Sequence, residues 1–160
     1  MKSILIMGIF ASILSLLGLG KKESNSQNYI QTPTQIKISQ LAEVLQLLQD
    51  GKTEYDLFGI TSNGIDCIYF VREGKNFQVE FEAMTKDQIP FIEKLKTFAT
   101  QNGFGIEMIS YGNKPHYGAN PAPVIRIITH SNLKRTTEIG QKIQKEVFNN
   151  NAETVYDVVP

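Results

Sequence analysis

From Glu54 to Ala83 the chain alternates apolar and polar positions, in runs rich in β-branched and aromatic residues. The pattern predicts a three-stranded antiparallel meander. Asn63-Gly64 divides the first two runs, and both residues tolerate the positive φ that a two-residue type I′ turn requires. With that turn, Ser62 faces Ile65, Ile60 pairs with Cys67, and Phe58 pairs with Tyr69. A second turn at Gly74-Lys75 adds a strand in which Phe77, Val79 and Phe81 alternate with Gln78, Glu80 and Glu82. One face of this meander is then Leu57, Ile68, Phe70, Val79 and Phe81, enough to seat helices. The other gathers Phe58, Ile60, Cys67, Tyr69 and Val71 beside Gln78, Glu80 and Glu82. Five apolar side chains next to two glutamates suit neither a dry core nor a fully wetted surface. That second face is expected to be half open, or to be covered by something outside the meander.

Around the meander the apolar period changes to that of a helix in three places. A helix over Gln40–Gln49 carries Leu41, Ala42, Leu45 and Leu48, with Ser39 as its cap and Asp50-Gly51 as its stop. A second, Gln88–Asn102, carries Ile92, Leu95, Phe98 and Ala99; Asp87 is its expected cap, which puts Pro90 in the first turn. A third, Asn132–Phe148, carries Leu133, Ile139 or Gly140, Ile143 and Val147, with Ser131 as cap. Strands are expected at 104–111, 124–129 and 153–159. The fold class that results is α+β: a single antiparallel sheet of five to six strands with helices packed on it, in the order α-β-β-β-α-β-β-α-β.

Ahead of this domain, Ile4–Leu19 runs sixteen residues without a charge, between Lys2 and Lys21-Lys22. As a helix it would span roughly 24 Å at ~1.5 Å per residue, at the lower limit for crossing a membrane. Residues 1–23 read as a signal peptide or a membrane anchor, 24–34 as a polar linker, and 35–160 as the domain. Small residues at Gly18/Gly20 or Ser24/Ser26 offer cleavage sites, though neither is Ala-x-Ala. The paired lysines favour an anchor with the domain on the cytoplasmic side; export after cleavage is the alternative.

Charge changes the picture little. The 160 residues carry sixteen basic and sixteen acidic side chains, and from Ser24 onward the net charge is −2, which gives no general attraction to nucleic acid. Cys67 is the single cysteine, so neither an intrachain disulfide nor a cysteine-based zinc site can form. The two histidines, His116 and His130, lack ligand spacing, and no metal or cofactor is expected. No phosphate-binding glycine loop or catalytic motif is present; Gly103-Phe104-Gly105 follows a helix instead of opening one. The remaining feature with functional colour is the loop Gly112–Pro123, stiffened by three prolines, which presents Lys114, His116 and Tyr117 above Tyr111.

The order of elements over 39–148 resembles the fold group of type III secretion chaperones and the related YbjN-like bacterial proteins. The resemblance lies in element order alone, and the apolar N-terminus and the last strand depart from it. It implies a non-enzymatic module that binds a protein segment. The expected function is therefore protein binding or adaptor work at a membrane. The binding positions are Phe58, Ile60, Tyr69, Val71, Glu80 and Glu82 on the second face, with Lys114, His116 and Tyr117 in the loop. The partner is another protein or a second copy. An exported binding protein, or a small enzyme using the 112–123 loop, are the alternatives.

Overall fold

A computed structural model describes residues 31–160. The apolar segment Ile4–Leu19 and most of the polar linker lie outside the described residues. Strand β1 (Gln35–Lys37) leads into helix α1 (Leu41–Gln49). Strands β2 (Leu57–Thr61), β3 (Ile68–Glu73) and β4 (Asn76–Glu82) form the meander. Helix α2 (Ile89–Gln101), strands β5 (Gly105–Ile109) and β6 (Val124–Ser131), helix α3 (Leu133–Glu146) and strand β7 (Val155–Val159) complete the chain. The seven strands make one antiparallel sheet in the order β1-β7-β2-β3-β4-β6-β5.

The α+β class and the single antiparallel sheet agree with the pattern, but the sheet has seven strands where five to six were expected. The added strand is β1, which pairs with β7 through Ile36 opposite Tyr156. Three residues with one apolar centre are too short to show a period, so Gln-Ile-Lys carries no strand signal of its own.

The helices cover one face. Phe58, Ile60, Ile68, Phe70, Val79, Phe81, Ile125, Ile127 and Tyr156 share a core with Leu41, Val44, Leu45 and Leu48 of α1, Ile92, Leu95 and Phe98 of α2, and Ile139 and Ile143 of α3. Phe58 stacks at a tilt on Phe70, with ring centroids 5.3 Å apart. Gly140 lets α3 close on this layer: a Cβ there would lie 2.8 Å from both Leu41 Cδ2 and Phe70 Cζ.

The first hairpin departs from the expected register by one residue. Ile60 pairs with Ile68 and Phe58 with Phe70, not with Cys67 and Tyr69. The cause is Asp66, 1% exposed, which folds back into the connection and accepts hydrogen bonds from Thr61 Oγ1 and the Ser62 amide, both at 2.8 Å, and from the Ser62 hydroxyl. Asn63 Oδ1 takes the amides of Ile65 (2.9 Å) and Asp66 (3.2 Å), and Gly64 alone of the Asn-Gly pair has positive φ, +80°. The result is a longer loop over 62–67 in place of a two-residue turn. A one-residue slip moves every side chain of a strand to the other face. So Phe58 (2% exposed) and Ile60 (0%) are core beneath the helices, and Leu57 takes their place on the open side. The second turn is as expected: Glu73 faces Asn76 across Gly74-Lys75, with Gly74 at φ +64°.

The caps also shift. Short 3-10 turns precede α1 and α2. Gln40 Oε1 accepts the Lys37 amide at 2.9 Å, and Gln88 Oε1 accepts the amides of Met84 and Thr85 at 2.8 and 3.0 Å, so neither Ser39 nor Asp87 acts as the cap. At α3 the cap is Asn132, whose Oδ1 takes the Arg135 amide at 3.0 Å. Ser131 instead exchanges a 2.7 Å hydrogen bond with Thr136 in the interior.

Candidate functional site on the open sheet face

The strand registers build the opposite face row by row. Directly opposed residues of antiparallel strands point to the same side. One row therefore runs Val159, Gly59, Tyr69, Glu80, Arg126, Glu107 across β7, β2, β3, β4, β6 and β5. Beside it stand Leu57 and Val71 on one flank, and Glu82, Val124 and Ile109 on the other. Leu57, Tyr69, Val71, Ile109, Ile128 and Val159 are half-buried and lie outside the helix-covered core.

Tyr69 is set by what faces it. Gly59 has no side chain, and the Tyr69 ring fills that space: a Cβ on Gly59 would come within 2.8 Å of Tyr69 Cε1 and of Val159 Cγ2. Burial, more than the neighbouring Cys67 and Glu82, raises the pKa of the Tyr69 hydroxyl. Burial likewise pushes the Cys67 thiol up to about 11, which leaves it protonated and unreactive at neutral pH.

The polar half of the face centres on Glu80, 4% exposed. Its Oε1 accepts from Arg126 Nε at 2.7 Å, and its Oε2 accepts from the Tyr111 hydroxyl at 2.7 Å. Arg126 also donates to the Tyr111 oxygen at 3.2 Å and stands 3.8 Å from Glu107. Burial, and then the bond to Glu80, raise the Tyr111 pKa, so this hydroxyl remains a donor at neutral pH. Glu82 accepts from Asn113 at 2.9 Å. These groups and the apolar rim enclose a concavity of about 210 Å³, lined by Leu57, Tyr69, Glu80, Glu82, Tyr111, Asn113 and Val124.

Of the positions expected to bind, Tyr69, Val71, Glu80 and Glu82 share this face, while Phe58 and Ile60 are on the other side. The 112–123 loop divides. Its first residues meet the face through Tyr111 and Asn113. Lys114 and His116 are exposed and line no part of the concavity, and Tyr117 turns inward to donate to the Ala83 carbonyl at 2.7 Å. The His116 amide donates to the Met84 carbonyl at 2.9 Å, so the loop is pinned along the chain that follows β4. Arg126 belongs to no motif, and its signal in the sequence is the alternation Val124, Arg126, Ile128, which places it on the face opposite Ile125 and Ile127. Among the described residues no group of three or more histidine, cysteine, aspartate or glutamate side chains is arranged to hold a metal ion, and no helix is long and apolar enough to cross a membrane.

No family model, curated protein or solved structure matches the chain.

Proposed function

We propose that the chain is a protein-binding module whose open sheet face docks a segment bearing both apolar and basic side chains. The observation that carries this is the division of that face: an apolar half built from Leu57, Tyr69, Val71 and Val159 adjoins a net acidic half in which Glu80, Glu82 and Glu107 surround the single Arg126, which pairs with the buried Glu80. On the open face of the seven strands, Glu73, Glu80, Glu82, Glu107 and Asp157 outnumber Lys37 and Arg126, while Arg72 points to the helix side opposite Phe77. Two copies meeting face to face would bring like charges together, which disfavours self-pairing and favours a basic partner. Each half-buried apolar side chain contributes more when a partner removes its remaining area from water, at about 25 cal/mol per Å². An enzyme would need reactive groups converging near His116; the groups that converge are instead Glu80, Arg126 and Tyr111, which satisfy one another. In this proposal residues 4–19 hold the module at a membrane, with the domain on the cytoplasmic side; an exported domain after signal cleavage is the competing placement.

The test is a peptide array of extended segments in which apolar positions alternate with Lys or Arg, alongside matched arrays carrying Glu. Wild-type protein should retain the basic set and ignore the acidic one. Tyr69→Glu and Glu82→Lys should each lose that binding while melting as a folded protein. Equal binding by Glu82→Lys would refute the acidic half as a determinant, and unfolding of Tyr69→Glu would make Tyr69 part of the core.

A further inference from the structure

The two edges of the sheet differ. β1 closes one end with three residues, Gln-Ile-Lys, and its Lys37 ammonium stands 2.6 Å from Glu153. A short, charged edge strand resists further pairing. At the other end β5 pairs with β6 alone and carries neither lysine nor proline. Among the described residues no group bonds to the amides and carbonyls on its outer side. Met108, on the helix side, is 48% exposed although Ile125, directly opposite it on β6, is fully buried.

Helix α2 belongs to the same edge. It packs over β6 and β5, whereas α3 packs over β4 and β6. Phe91 and Phe98 turn toward the end of α3: Phe91 stacks on Phe148 with ring centroids 4.8 Å apart, and Lys142 lies over the Phe98 ring. At about 100° per residue, Ile89, Glu93 and Lys96 fall on the opposite side of α2, above the outer edge of β5. Ile89 is 42% exposed there, and Lys96 Nζ stands 2.7 Å from Glu93.

We propose that a second copy of this chain covers this edge, β5 pairing antiparallel with its own counterpart so that the two sheets become one. The alternation within β5 limits the register. Directly opposed residues share a face, so Glu107 can meet Gly105, Glu107 or Ile109 of the second copy. Like charges exclude Glu107 against itself. Pairing with Gly105 would bring Ile109 against Gly103, in the turn out of α2 where φ is +75°. The remaining register sets Glu107 opposite Ile109, and Met108 opposite Met108 on the two-fold axis. With strands about 4.8 Å apart, the two α2 helices then lie roughly 10 Å from each other, a helix-packing distance. They run antiparallel, so Glu93 of each copy faces Lys96 of the other and the contact is self-complementary in charge. β1 closes the far edge of each copy, so pairing ends at a dimer instead of running on as a fibre. Both open faces lie on the same side of the joined sheet, which gives the dimer two docking faces.

The experiment is cross-linking of the purified full-length chain carrying Cys67→Ser. A single cysteine replaces Met108, or Lys37 on the β1 edge as the control, and a short bismaleimide is added. Met108, Lys37 and Glu93 are exposed and Lys96 is half-buried, so these positions accept substitution without loss of the core. Met108→Cys should give a cross-linked dimer whose yield falls on dilution, and Lys37→Cys should give none. Adding either Glu93→Lys or Lys96→Glu to Met108→Cys should cut the yield several-fold, and adding both should restore it. No dimer from position 108 overturns the proposal. So does equal yield from position 37, which would place the contact elsewhere in the chain. A yield that ignores the single reversals, or that the double reversal fails to restore, overturns it as well.

Discussion

Glu80 and Asp66 are both buried carboxylates, and both are held by partners from distant parts of the chain. For Glu80 the partner is Arg126, whose side chain is about one quarter exposed. Removing one member of a buried pair leaves an uncompensated charge, so Arg126→Met should cost about 3 kcal/mol in urea unfolding, and adding Glu80→Gln should restore most of it. For Asp66, burial alone would raise the pKa, but hydrogen bonds from Ser62, Thr61 and Asn150 outweigh it and hold the group below 3.8, the ordinary value for an aspartate. A lowered folded-state pKa contributes stability above the unfolded-state pKa, and that contribution disappears as pH falls through the folded one. Asp66→Asn should therefore be less stable than wild type by roughly 2 kcal/mol at neutral pH. The two urea midpoints should converge below pH 3.8. A difference that persists undiminished at pH 2 would assign the effect to shape instead of charge.

At the scale of elements, the helices and most strands were legible because their apolar periods extend over several residues. Leu41, Leu45 and Leu48, and Ile92, Leu95 and Phe98, are buried where a 3.6-residue period puts them. What could not be read was the pairing of β2 with β3. Asn63-Gly64 is a strong local signal for a tight hairpin, but the side chain of Asp66 competes for the backbone amides of the same loop and gains Asn150 from the far end of the chain. That long-range bond has no trace in the local pattern, and it decides which face Phe58 and Ile60 occupy. Half of the candidate site was therefore legible: Tyr69, Val71, Glu80 and Glu82 follow from alternation within β3 and β4, whose two-residue turn sets their register. Another such contact is Gly140, where α3 approaches α1. Alanine there would gain about 1 kcal/mol in helix propensity, but its Cβ would press into Leu41 and Phe70. Overpacking costs about 1–3 kcal/mol, so Gly140→Ala should lower the melting temperature on balance.

Residues 31–160 form a sheet with its helices on one side and a half-apolar, acidic face on the other. The apolar N-terminal segment makes the placement of that face a question of topology. Intact mass of the expressed protein, measured after membrane fractionation, separates the two placements. A full-length chain in the membrane fraction fits an anchor, and a chain beginning near Lys21 or Gln27 fits export. The central claim, docking on the open face, is tested most directly by photo-cross-linking in the native cell. A photoreactive residue at Val71 is compared with one at Lys134 on the exposed side of α3. The account predicts a cross-linked product from Val71 in which the partner's attached segment carries Lys or Arg. That product should vanish when Glu82→Lys is added, and position 134 should give none. A product joining two copies of this chain, or equal yield from both positions, would contradict it.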